Sequence, residues 1–199
     1  MKLRYVTNSP YCRKVAIAAR LLGVQERITM VNSESDQGDL IRAHNPLNKI
    51  PLLITESGEA IFDSTVIIQY LDLLAGGGRV IPRDPRDRFK ALTYEALADG
   101  IMDAIGAINQ EQRWHPDGTA SVEWIGHQRK KVDKGIAYLN QHPPDSTMDV
   151  GAITVATMLG YLDFRDNGIW RQNASALLSW LDRFAAATPA FAETAPGRL

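Results

Sequence analysis

The pattern of this sequence changes part-way along, and that change limits the folds open to it. Over residues 1–75, short β-prone runs alternate with helical periodicity. Beyond residue 86 the β-prone runs stop. Between the two regions, residues 76–86 hold three glycines and two prolines, a composition that ends regular elements and joins separate units. A chain of 199 residues accommodates one large domain or two small ones. The change of pattern selects two, different in kind.

In the first region, residues 3–6 (Leu-Arg-Tyr-Val) form a strand-like run. Ser9-Pro10 then has the chemistry of a helix start, with Ser at the N-cap and Pro at the first helical position. Val15, Ala18, Ala19 and Leu22 follow on one helical face, and Gly23 is a suitable terminator. Residues 28–31 give a second strand. Residues 33–48 are polar, with a short helix expected around residues 38–43. Residues 52–55 and 60–62 flank Glu56-Ser57-Gly58-Glu59, the pattern of a hairpin. Asp63 or Ser64 caps a further helix, with Ile67, Tyr70, Leu71 and Leu74 on its apolar face.

The second region is helical throughout. A long helix is expected over residues 89–113, with Leu97, Ile101, Ile105 and Ile108 along one side. Others follow over residues 121–139, from Asp149, and over 174–187. The longest uncharged apolar-rich stretch, residues 150–162, is 13 residues long. A membrane span needs about 20, so this stretch predicts a buried core helix. The sequence shows no signal-peptide pattern, so a cytoplasmic location and no membrane partner are expected. With 22 basic and 23 acidic residues the net charge is −1, and no bulk attraction to nucleic acid follows. One cysteine, Cys12, excludes a disulfide-stapled fold. The four histidines lack metal-ligand spacing, and no metal site is expected.

Four local features carry a resemblance: Ser9-Pro10-Tyr11-Cys12-Arg13-Lys14-Val15 at a strand-to-helix junction, Asn45-Pro46-Leu47-Asn48-Lys49-Ile50-Pro51-Leu52 before the third strand, Asp63-Ser64 at a helix start, and Gly160-Tyr161-Leu162-Asp163-Phe164 at the end of the core helix. In this order the chain resembles the cytosolic glutathione S-transferases, and looks like a bacterial member with a serine-type active site. The resemblance implies an α/β plus all-α architecture. A thioredoxin-like βαβαββα domain over residues 1–77 would bind glutathione, the co-substrate. An all-helical domain over 84–199 would carry the second-substrate pocket. It also implies a homodimer and conjugation of glutathione to small apolar electrophiles, a detoxification chemistry; the alternatives are glutathione-dependent reduction of thiols or peroxides through Cys12, and a non-catalytic transferase-like scaffold that binds a protein partner.

The family's site residues transfer onto this sequence one by one. Ser9 would donate a hydrogen bond to the glutathione sulfur; by itself it is an ordinary N-cap. A free thiol with pKa about 8.5 is only roughly 3% thiolate at neutral pH, so a hydroxyl donor and the positive end of a helix are useful there. Pro51 would be cis, and Ile50 would pair its main chain with the cysteinyl backbone as in strand addition. Lys49, or more weakly His44, would meet the glycyl carboxylate. Ser64 and the nearby N–H groups would hold the γ-glutamyl carboxylate. Asp63 would take the ammonium, although the family more often has Glu or Gln at that position.

Cys12 occupies the resolving position of a glutaredoxin-like Cys-Pro-Tyr-Cys motif whose first cysteine is Ser9. Lying near a helix start beside Arg13 and Lys14, it is open to two readings: a thiol of lowered pKa forming a mixed disulfide with glutathione, or a small buried residue. Glu95, Asp99 and Asp103 form an acidic stripe. It is either a solvated face or, as the resemblance implies, a source for a carboxylate reaching the neighbouring subunit's γ-glutamyl ammonium, with Asp99 first and Asp103 second. Tyr11, Ile105, Ile108 and Trp114 are the expected walls of the second-substrate pocket. At the start of the core helix Asp149 caps alone, because Ala152 replaces the reciprocal carboxylate of a capping box.

Overall fold

The computed structural model describes residues 1–33, 43–145 and 148–198. The first part is a mixed four-stranded sheet: β1 (Lys2–Tyr5), β2 (Thr29–Asn32), β3 (Leu52–Ile54) and β4 (Ala60–Ile61), in the order β2-β1-β3-β4. β1 runs parallel to β2 and antiparallel to β3, placing Leu3 opposite both Met30 and Leu53. The β1–β2 crossover is helix α1 (Pro10–Leu22), which needs its full length to return the chain to the same sheet. Its cap is the expected one: the Ser9 side chain accepts the Cys12 N–H, and Gly23 closes the helix at φ 70°. β3 and β4 form the expected hairpin, and α2 (Ser64–Leu74) follows with Asp63 as its N-cap. The short helix expected around residues 38–43 lies, up to residue 42, outside the described residues.

The remainder is helical: α3 (Pro85–Trp114), α4 (Val122–Gln141), α5 (Val150–Arg165), α6 (Ser175–Ala187) and α7 (Pro189–Glu193). The fold is thus a thioredoxin-like unit followed by a helical one. α5 is buried along most of its length, and Thr154 and Thr157 satisfy their hydroxyls on the Val150 and Ile153 carbonyls. Asp149 caps it alone by accepting the Ala152 N–H at 2.9 Å. Among the described residues no helix is long and apolar enough to cross a membrane.

The glycine-rich segment is docked against the fold. The buried Asp72 carboxylate accepts N–H groups of Gly78, Arg79 and Val80 at 2.7–2.9 Å. Val80 and Ile81 enter the core, and the Val80 carbonyl accepts the Val150 N–H. Gly78 has φ 78°, and a Cβ there would meet the Arg83 side chain at 2.5 Å. The long helix starts at Pro85 rather than near Phe89, because Asp84 caps it and Pro is favourable at the first helical position. One contiguous core joins the two units, running from Leu3 and Val15 through Ile105 to Leu159.

Candidate functional site

A cleft of about 670 Å³ lies between the two units. From the sheet side it is lined by Tyr11, Lys49, Ile50, Pro51, Phe62, Asp63 and Ser64. Across it stand Asp99, Met102, Asp103, Gly106, Ala107 and Gln110 of α3, with Tyr161 of α5. The loop before β3 is set by buried Asn45, which donates to the Lys49 carbonyl at 2.9 Å and accepts the Leu47 N–H at 3.0 Å. The Ile50–Pro51 bond is cis. Asp63 uses one carboxylate oxygen on the Thr65 N–H at 3.0 Å, and Ser64 is buried at the first turn of α2. The cleft therefore brings together Lys49, Ile50, Pro51, Asp63, Ser64, Asp99 and Tyr11.

Ser9 does not line this cleft. It borders a crevice of about 10 Å³ with Arg13, Thr157, Tyr161 and Pro196. Cleft and crevice share Tyr161 as a wall. The crevice is close to the size of one water-sized group.

Cys12 is fully buried, and burial pushes its thiol up to about 11, with hydrogen bonding from Ser9 opposing only in part. That is the reverse of the lowered pKa a redox role requires. The dominant effect at this helix start is removal from water, because a thiolate in an apolar interior loses its hydration.

The acidic stripe of α3 is graded: Glu95 is buried, Asp99 is partly buried, and Asp103 is exposed, the last two lining the cleft. The Lys14 side chain has no exposure, and its Nζ donates to Glu95 at 3.0 Å and to Asp99 at 2.7 Å. Thr65 donates to Glu95 at 3.1 Å. Tyr11 donates its hydroxyl to Asp103. The stripe thus clasps α1 and α2 to the helical unit. Burial raises the Asp99 pKa, and the Lys14 charge opposes that rise. Burial, and then Asp103, drive the Tyr11 phenol far above its ordinary range, so it stays a neutral donor.

The expected second-substrate wall needs correction. Ile105 and Ile108 are 1% and 4% exposed; they point into the helical core, on the side of α3 away from the cleft. Trp114 is 75% exposed at the end of the helix, one turn beyond Gln110, and does not line the cleft. Of the four residues expected there, Tyr11 alone lines the cleft. Met102, Gly106 and Gln110 occupy the wall instead, and their spacing of four from one another was the legible signal. Lys14, Asn45 and Tyr161 had no signal of their own. Among the described residues, no group of three or more His, Cys, Asp or Glu side chains converges to hold a metal ion.

These features define a class: proteins with a thioredoxin-like sheet facing a helical unit across a cleft. A family model, "Glutathione S-transferase, N-terminal domain", matches residues 8–74. The uncharacterized GST-like protein YibF of Escherichia coli is 34% identical over 171 residues, covering 83% of each chain. A glutathione transferase family member from Pseudomonas fluorescens Pf-5, solved with bound glutathione, is 35% identical with a TM-score of 0.91 over 98% of each chain. A glutathione S-transferase from Methylobacillus flagellatus with glutathione bound is 33% identical with a TM-score of 0.90, again over 98% of each chain. The chain belongs to the glutathione S-transferase family.

Proposed function

We propose that this protein binds glutathione in the 670 Å³ cleft and transfers its thiolate to small electrophiles with an apolar body. The observation that carries this reading is the convergence, on one side of that cleft, of the ligand set expected for glutathione. Lys49 takes the glycyl carboxylate. The Ile50 main chain pairs with the cysteinyl backbone. Ser64 and the first N–H groups of α2 take the γ-glutamyl carboxylate, and Asp63, with its second carboxylate oxygen, takes the ammonium. The sulfur reaches the crevice of Ser9, whose hydroxyl donates to the thiolate. Tyr11, Met102, Ala107 and Tyr161 give the electrophile its apolar contacts. Relatives solved with glutathione bound support the ligand.

The active form is a homodimer acting in the cytoplasm. Support for self-association comes from Val66 and Leu73, exposed by 48 and 74%, which line one groove on α2.

The test is steady-state conjugation of glutathione to an activated aryl halide by wild type and Ser9→Ala. Raising the bound thiol from about 6.5 to about 8.5 cuts the thiolate roughly 25-fold at neutral pH. A loss of about tenfold or more in kcat/KM is expected, with glutathione affinity by calorimetry little changed. An unchanged rate overturns the role of Ser9. Absence of glutathione binding overturns the reading as a whole.

A further inference from the structure

Two cationic side chains on the first turns of α1 are buried, and only one has a carboxylate. Arg13 is 4% exposed. Its Nη2 donates to the Phe191 carbonyl at 2.7 Å, and its guanidinium lies 4.2 Å over the Phe191 ring. Its Nε is buried with no hydrogen-bond partner among the described residues, and no ion pair with a carboxylate forms there. The Asp163 charge attracts the guanidinium at longer range, but the neighbouring acids make their hydrogen bonds and ion pairs elsewhere. Asp163 on α5 accepts from Arg171 at 2.7 and 2.8 Å and from Trp170 at 2.9 Å. Glu193 on α7 pairs with Arg20 at 3.3 Å. Tyr161 is the remaining titratable wall of the crevice.

The position of this charge is set by the helix. Arg13 stands four residues after Ser9, its N–H donating to the Ser9 carbonyl at 3.0 Å, so both side chains share one face. Both border the same 10 Å³ crevice. A buried charge is costly; the Phe191 carbonyl and ring and the distant Asp163 charge offset part of that cost, and Nε is left without a partner among the described residues.

We infer that the Arg13 guanidinium is an electrostatic positioning residue that stabilises an anionic sulfur held at Ser9. This rests on the proposed binding of glutathione with its sulfur in the Ser9 crevice. The bound thiol releases its proton to solvent. The thiolate then accepts the Ser9 hydroxyl bond in the field of a cation that makes no direct ion pair with a carboxylate among the described residues. Burial lowers the Arg13 pKa only to about 10, so the group is charged at neutral pH.

The experiment is a pH titration of the ultraviolet thiolate absorbance of glutathione bound to the intact protein. Wild type, Ser9→Ala, Arg13→Gln and Arg13→Lys are compared. Arg13→Gln is expected to raise the thiolate pKa by about one unit, and Arg13→Lys to keep it within about half a unit of wild type. A merely structural role for Arg13 changes stability and leaves this titration in place. Gly160→Ala is a second probe that retains the charge. Its Cβ would lie 2.3 Å from Arg13 Nη1, at the far end of a flexible side chain, so the guanidinium is displaced and the fold retained. A rise of about half a unit is expected there. A shift with Ser9→Ala and none with Arg13→Gln or Gly160→Ala overturns the inference alone. No shift with Ser9→Ala overturns it together with the placement of the sulfur.

Discussion

Helix α3 presents two faces about half a turn apart, and they do different work. One carries Ile101, Ile105 and Ile108, all at most 4% exposed, and packs into the helical core. The other carries Glu95, Asp99, Met102, Gly106 and Gln110, and meets α1, α2 and the cleft. The apolar face holds the helix in its own unit. The polar face holds the two units together and shapes the site. The α3 wall of the cleft is therefore Asp99, Met102, Asp103, Gly106, Ala107 and Gln110, while Ile101, Ile105 and Ile108 of the same helix are buried in the core.

The largest effect separating the faces is expected on the polar one. Lys14→Met keeps the length of the side chain and removes the cation that Glu95 and Asp99 share at 3.0 and 2.7 Å. Glu95, 4% exposed, and Asp99, 22% exposed, then lie side by side on one helix with no cation between them. Breaking a buried pair by deleting one partner costs about 3–5 kcal/mol. Urea denaturation should show a loss of that size, and adding Glu95→Gln should recover part of it. A loss under about 1 kcal/mol would mean that water reaches the carboxylates and that the clasp is a surface pair.

The apolar face is the next test. Ile105→Ala removes a side chain 1% exposed in the core, and large-to-small changes at such sites cost about 2–5 kcal/mol. Its activity signature distinguishes it from a pocket residue. At a temperature where the variant is folded, KM for the electrophile should stay within about twofold of wild type, because no atom of Ile105 lines the cleft. A selective rise in that KM would return Ile105 to the site.

Much of this was legible in the residues. Ser9-Pro10 and Gly23 bracket α1 because capping is a local matter of one side chain and one backbone conformation. The hairpin, the cap at Asp63 and the buried α5 follow for the same reason. The loop 45–51 and Asp63-Ser64 could be placed because their motifs are contiguous. The opposite wall of the cleft could not. Periodicity shows that Ile101, Ile105 and Ile108 share a face, yet it is silent on what that face meets. The spacing of Glu95, Asp99 and Asp103 matches a solvated stripe just as well as a buried one. Their partners Lys14 and Tyr11 lie 81–92 residues away, so only the tertiary fold reveals the pairing. Cys12 shows the same limit: its neighbours in sequence are cationic, but its burial decides its chemistry.

The smallest effect expected concerns how Lys14 and burial divide their influence on Asp99. Burial, together with the Glu95 and Asp103 charges, raises the pKa of Asp99 more than Lys14 lowers it. The folded chain therefore keeps this proton to a higher pH than the unfolded chain, whose aspartate titrates near 3.8. Between the two values the folded state binds more protons, and stability falls as pH rises. The contribution of Asp99 is fully present below the unfolded value and is lost as pH climbs through the folded one. Asp99→Asn keeps the shape and removes the titration. The stability of wild type minus that of the variant should then decrease from about pH 4 upward. Measuring both proteins by urea denaturation across that range cancels the other titrating groups to first approximation. A difference that instead grows with pH would show that Lys14 dominates. The polar face of α3 would then be held chiefly by charge pairing, and its burial would be secondary.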